Sequence, residues 1–139
     1  MLAAGPAPCG MLKSGLLNPA VLHLLARIRQ TNTLVIADRG FPFWPQLETI
    51  DLSLVDDVPT VLQVLDAIRP NFVIGRVFAA REFTQINPAV RRTALTSRRK
   101  GVPLVFEPHV QFKQRVPGAI GLIRTGDTLP YANLIIESA

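Results

Sequence analysis

Four polar side chains in this sequence have types and positions suited to proton transfer or hydroxyl recognition. Asp38 ends the apolar run Thr33 to Ala37 and precedes Arg39-Gly40. A carboxylate at the end of such a run is desolvated unless hydrogen-bonded, so it accepts bonds from a polar ligand or from the turn at Gly40. His109, one of two histidines, follows Pro108 where a short helical pattern opens. A helix amino terminus disfavours imidazolium, which leaves a neutral ring able to donate and accept near neutral pH; a capping or solvent-facing role is the plainer alternative. Tyr131-Ala132-Asn133 sets the only tyrosine two residues from an amide, so an extended backbone would send both side chains to one face. Phenol and amide suit sugar hydroxyls because each donates and accepts, whereas a core strand aromatic is the structural alternative. His23 lies beside an apolar helical stripe and reads as structural or exposed. Two histidines without matched carboxylate spacing make no metal site.

These residues need elements that bring strand ends together. Asn18-Pro19 is a helix start, and Val21, Leu22, Leu24, Leu25 and Ile28 recur at helical spacing, so a first helix is predicted over 18–29. Thr33 to Ala37 reads as a strand buried on both faces, with position 38 at its carboxyl end. Phe41 to Pro45 carries two prolines and must be a loop laying aromatics over something. Further strands are predicted over 49–54, 72–79, 102–106, 120–124 and 133–136, and helices over 59–68, from Asn87 to about 101, and over 109–115. Strands alternating with helices in this way predict a single α/β domain with a largely parallel sheet flanked by helices. Ligands in such a sheet gather beyond the strands' carboxyl ends, which singles out Asp38, Glu107 to His109 and the Thr125 to Asn133 loop.

Composition excludes several classes. The 139 residues suffice for one ordinary core, and 48% apolar against 18% charged residues argues against a disordered chain. No apolar run approaches the roughly 20 residues of a membrane-spanning helix. Cys9 is the single cysteine, which excludes an internal disulfide framework and fits a reducing, cytoplasmic setting. The formal charge of +5 is concentrated around Arg91, Arg92, Arg98, Arg99 and Lys100. No aromatic is interleaved there to stack bases, so a solvated helix face is expected rather than a nucleic-acid surface. Phosphate-cradling loops and the nucleophile-elbow and zinc-protease motifs are missing from the sequence. Residues 1–10, small and rich in Gly and Pro, read as a flexible leader before a domain over 11–139.

Several blocks in order carry a resemblance. They are Met11-Leu12-Lys13 with Gly15 and Leu17-Asn18, Val35-Ile36-Ala37-Asp38 with Gly40 and Pro42, Ile50-Asp51-Leu52, His109 with Gln111-Phe112-Lys113, Ile123-Arg124-Thr125-Gly126-Asp127, and Pro130-Tyr131-Ala132-Asn133. Over residue 11 to the end the chain resembles the D-ribose pyranase and L-fucose mutarotase family, its ribose pyranase branch in particular. The resemblance implies a ribose pyranase-like α/β fold in a cytoplasmic homo-oligomer, a pentameric ring or decamer, that converts cyclic forms of a free aldose without metal or cofactor. It also implies a D-ribose- or L-fucose-like monosaccharide bound by Asp38, His109, Tyr131, Ala132 and Asn133. Opening the sugar ring needs a base for the anomeric hydroxyl and an acid for the ring oxygen, work suited to histidine.

One position departs from the pattern. The family's catalytic histidine stands in a Gly-His pair eight residues before the strand-end aspartate, and here that pair is Arg29-Gln30. Glutamine hydrogen-bonds a hydroxyl but moves no proton near neutral pH, which leaves His109 as the acid/base candidate. Two functions of different class follow: a cofactor-free sugar isomerase, or a sugar-binding or regulatory relative without turnover.

Overall fold

The computed structural model describes residue 12 and residues 15–86, 88–89 and 101–139. The leader expected over 1–10, the helix start at Asn87 and the basic face from Arg91 to Lys100 lie outside the described residues.

The chain runs α1 (Pro19–Arg27), β1 (Thr33–Ala37), β2 (Glu48–Asp51), α2 (Val61–Ile68), β3 (Ile74–Ala80), α3 (Arg81–Ile86), β4 (Leu104–Glu107), α4 (His109–Arg115), β5 (Gly121–Arg124) and β6 (Leu134–Ser138). Asn18 starts α1 as its sequence suggests, its Oδ1 accepting from Val21 N–H at 3.0 Å with Pro19 next in line. A reciprocal Thr60–Gln63 capping box starts α2.

Six strands form one sheet in the order β2-β5-β1-β6-β3-β4. Every pairing is parallel except those of β6, which runs antiparallel to both β1 and β3. The largely parallel α/β sheet expected from the sequence is therefore what forms. The carboxyl ends of β1 to β5 all lie at one edge, and the reversed β6 begins at that same edge.

Alternate residues of β1 feed two cores, which is why its sequence is apolar without interruption. Leu34 and Ile36 pack with Val21 and Leu24 of α1 and Val61, Leu65 and Ile68 of α2. Val35 and Ala37 face the other side, against Phe41, Leu47 and the α4 residue Phe112. Each large side chain so buried contributes about 1.5–3 kcal/mol, so the edge is carried on a rigid three-layer frame.

Most element boundaries fall within two residues of expectation, and two places differ further. The second strand stops at Asp51 rather than 54, because the Asp51 carboxylate accepts from the Ser53 N–H and turns the chain out of the sheet. A helix also begins at Arg81, directly after β3, where no start was expected before Asn87. It has no capping signature, and it forms around Phe83, which is 2% exposed within the first core.

Candidate functional site

The register of the sheet brings distant residues together. Ala37 pairs with Arg124 and Ile36 with Leu134, so Asp38, the residues after β5 and Asn133 are neighbours at the carboxyl edge. Thr125 locks this junction, donating through both its N–H and its Oγ1 to the Ala37 carbonyl, at 2.9 and 2.8 Å. Arg124 donates to the carbonyls of Arg39 and Phe41, fixing the loop that leaves β1. The buried Asp127 carboxylate accepts from Val61 N–H and Leu129 N–H and ties the β5–β6 loop to the start of α2. Gly126 allows that approach, since a Cβ there would collide with the Val55 carbonyl oxygen.

A cavity of about 380 Å³ opens at this edge. Asp38, His109, Lys113, Tyr131 and Asn133 form its polar wall, and Phe41, Pro42 and Pro130 are among its apolar lining. Asp38 takes the turn role considered in the sequence, its Oδ1 accepting from Gly40 N–H at 3.0 Å, and the residue also lines the cavity. Burial pushes the Asp38 carboxyl above the usual range, and the nearby Asp127 adds to the rise. Hydrogen bonds from the Gly40 and Phe41 backbone and from Asn133 work against it. Asn133, 2% exposed, accepts from Asp38 N–H through its Oδ1 at 2.7 Å, which leaves its amide NH₂ as donor.

His109 is the first residue of α4, and its ring meets Tyr131 edge-on, with centroids 4.9 Å apart, and stacks near Phe112. Desolvation holds its pKa below the ordinary value of 6.5; Lys113 pushes in the same direction, and Glu82 and Asp38 oppose. A neutral imidazole is thus favoured in the neutral range. Its Nδ1 is buried and has no hydrogen-bond partner among the described residues.

Tyr131 and Asn133 meet at the cavity by a route other than the extended backbone considered above. Tyr131 sits at φ +61° in a left-handed turn, and that turn aims the ring at His109 while Asn133 enters β6. Ala132 between them is fully buried, and its N–H donates to the Leu129 carbonyl at 3.3 Å.

Lys113 was missed as a site residue in the sequence. The signal was present, because His109 and Lys113 are four residues apart and so share one face of a helix. His23 is exposed on α1, away from the cavity lining. Gln30 is exposed as well, in the turn before β1. The next residue, Thr31, donates to Ser138 at the far end of β6, so the turn lies at the sheet's opposite edge. A five-residue strand, roughly 17 Å at about 3.3 Å per residue, separates Gln30 from Asp38 within one chain.

The arrangement juxtaposes a carboxylate, a neutral-leaning imidazole, an ammonium, a phenol and an amide around a volume of small-molecule size. These groups can donate to and accept from several hydroxyls at once, and two of them can exchange protons. Among the described residues no group of three or more His, Cys, Asp or Glu side chains is placed to hold a metal ion.

Comparison with known proteins agrees with this architecture. A D-ribose pyranase of Geobacillus kaustophilus is 43% identical over 128 residues, spanning 92% of this chain and 93% of the relative. The structure of Bacillus subtilis RbsD complexed with D-ribose superposes with a TM-score of 0.85 at 30% identity, covering 93% of this chain and 98% of that one. The fucose mutarotase from Streptococcus pneumoniae, solved with L-fucose, shares the fold at TM-score 0.73 and 18% identity, over 88% of this chain and 92% of its own. The model of the RbsD / FucU transport protein family matches residues 11–139, and the chain belongs to that family.

Proposed function

We propose that this chain binds a free aldose of the D-ribose or L-fucose kind and interconverts its cyclic forms, with Asp38 and His109 as the polar pair. One observation carries the reading: Asp38, His109, Tyr131 and Asn133 converge on one cavity at the strand ends. His109 is held toward neutrality, so it can take the anomeric proton and return one to the ring oxygen. Tyr131 and the Asn133 amide bind and orient hydroxyls, and Phe41 and Pro42 offer apolar surface to the sugar's C–H faces. No metal or cofactor enters these steps.

The reading includes a homo-oligomer, a pentameric ring or decamer. Support comes from position 30, which lies across the sheet from Asp38 and reaches such a cavity only from a neighbouring chain. Phe43, 68% exposed in the aromatic loop, offers apolar surface that a neighbouring chain would cover. The cytoplasm is the proposed compartment, consistent with one cysteine and no disulfide framework. Among the described residues no helix is long and apolar enough to cross a membrane.

A second reading, a sugar-binding relative without turnover, is favoured by Gln30, which stands where the family has its histidine. Saturation-transfer NMR with D-ribose and L-fucose separates the two, because it reports binding and ring-form exchange in one experiment. Exchange by the wild type that disappears in His109→Ala supports the isomerase. Binding without exchange, with exchange gained in Gln30→His by about 10²- to 10⁴-fold, the usual worth of an acid/base group, supports the second reading. Binding of neither sugar refutes both.

A further inference from the structure

Helix α4 begins without a cap of its own. Pro108 occupies the cap position and makes no side-chain hydrogen bond to the first turn. The missing acceptor comes instead from α3, 27 residues earlier. Both carboxylate oxygens of Glu82 face the His109 N–H, Oε2 at 2.9 Å and Oε1 at 3.3 Å. The sheet register explains the meeting: Ala80 of β3 pairs with Glu107 of β4, and the two chains then leave the sheet in step, so that residues 82 and 109 stand side by side.

The bond falls on the one residue of α4 whose side chain is also wedged between aromatic rings. The His109 ring lies edge-on to Tyr131 at 4.9 Å and parallel to Phe112 at 6.1 Å and 13°. Anchoring its backbone N–H therefore sets the point from which the ring reaches the cavity. Amide-to-carboxylate bonds are charge-assisted and stronger than neutral ones, so a glutamate holds this point more firmly than a neutral acceptor.

We propose that Glu82 is a positioning residue for His109, its carboxylate fixing the backbone that sets the stance of the imidazole in the sugar cavity. This rests on the proposed sugar reading only for its functional consequence; the coupling between Glu82 and His109 stands or falls separately. The charged groups around the imidazole are Glu82 from α3, Asp38 from the end of β1 and Lys113 on α4 itself, with the Tyr131 phenol from the β5–β6 loop. The two carboxylates favour imidazolium and the ammonium opposes it.

The test compares the wild type with Glu82→Gln and Glu82→Ala. In the free protein, the His109 Cε1–Hε1 NMR signal is followed through a pH titration and assigned by its loss in His109→Ala. In parallel, D-ribose binding is measured by titration. Both substitutions remove a negative charge that favours imidazolium, so both move the His109 midpoint downward. Glu82→Gln retains an acceptor for the N–H and is expected to keep ribose affinity within about twofold of wild type, while Glu82→Ala loses about tenfold, the scale of one hydrogen bond. A His109 midpoint unmoved in Glu82→Gln overturns the proposal, as does wild-type ribose affinity in a folded Glu82→Ala. If Glu82→Ala does not fold, the His109 backbone N–H proton shift in Glu82→Gln decides: exchanging a charged acceptor for a neutral one moves it upfield if the bond holds the backbone, and an unmoved shift overturns the proposal. If the wild type binds no ribose, the sugar reading fails, and the free-protein titration still judges the link between Glu82 and His109.

Discussion

Removing the Asn133 side chain tests whether the cavity's polar wall is held together by the bond that joins β6 to the end of β1. In Asn133→Ala the Asp38 N–H loses its acceptor among the described residues, the Oδ1 at 2.7 Å, in a place where Asn133 itself is 2% exposed. An unsatisfied buried donor costs about 1–3 kcal/mol. With a urea m-value of about 1.5–2 kcal/mol/M for a chain of this size, the unfolding midpoint should fall by roughly 0.5–2 M. Ribose affinity should fall in parallel, because the same substitution removes the amide NH₂ donor and frees the Asp38 turn. The companion variant Asn133→Asp separates hydrogen bond from charge. It keeps an oxygen for the Asp38 N–H but sets a third carboxylate beside Asp38 and Asp127. Like charges raise the folded-state pKa values, so its stability is present at low pH and lost as pH rises through them. Urea unfolding followed by circular dichroism at pH 4 and pH 7, at fixed protein concentration, reads both effects. A midpoint for Asn133→Ala within about 0.2 M of wild type would show that the Asp38–Asn133 bond carries no weight and would refute the reasoning.

The Asp38 carboxyl is raised in the folded state chiefly by burial, so the stability it contributes is present below its ordinary value of 3.8 and is lost as pH rises through the folded pKa. Asp38→Asn should therefore gain stability relative to wild type between pH 3 and pH 7 while binding ribose more weakly; a stability difference that stays flat across that range counts against this assignment of cause. Light scattering at micromolar concentration should return a mass several times the 15.2 kDa of the chain, and a value equal to one chain would remove the homo-oligomer from the proposed function.

The candidate cavity is legible in the sequence to the extent that strand ends are. Continuous apolar runs mark β1 and β4, and the rule that ligands gather beyond carboxyl ends selects Asp38 and His109 from the sequence alone. Asn133 was reached by the same logic, although what brings it there is the reversal of β6, a pairing between residues far apart in the chain that local sequence does not encode. Tyr131 had the right neighbours for a different reason from the one its spacing suggested: a left-handed turn rather than an extended strand. Helix α3 escaped notice because its stability comes from burying Phe83 rather than from a cap or a full amphipathic period. Glu82 was invisible for a related reason, since only the β3–β4 register makes it a neighbour of His109.

Position 30 shows how closeness in sequence can mislead. Gln30 precedes Asp38 by eight residues, but the segment between them contains an extended strand, and extended chain is the least compact way to connect two points. The turn that carries Gln30 is tied down where it stands. The Arg29 guanidinium donates to the carbonyls of Ala26 and Ile28, the Arg29 N–H donates to Asn32 Oδ1, and Thr31 N–H bonds Ser138. Bringing position 30 to the cavity within one chain would break these bonds and peel β1 out of the centre of the sheet, where it pairs with both β5 and β6. That cost far exceeds what one glutamine–sugar hydrogen bond returns, about 0.5–1.5 kcal/mol. Any influence of residue 30 on the sugar must then come from a second copy whose amino edge meets this chain's carboxyl edge. It follows that the gain expected of Gln30→His depends on assembly, whereas the cavity lined by Asp38, His109 and Asn133 is present in each chain alone.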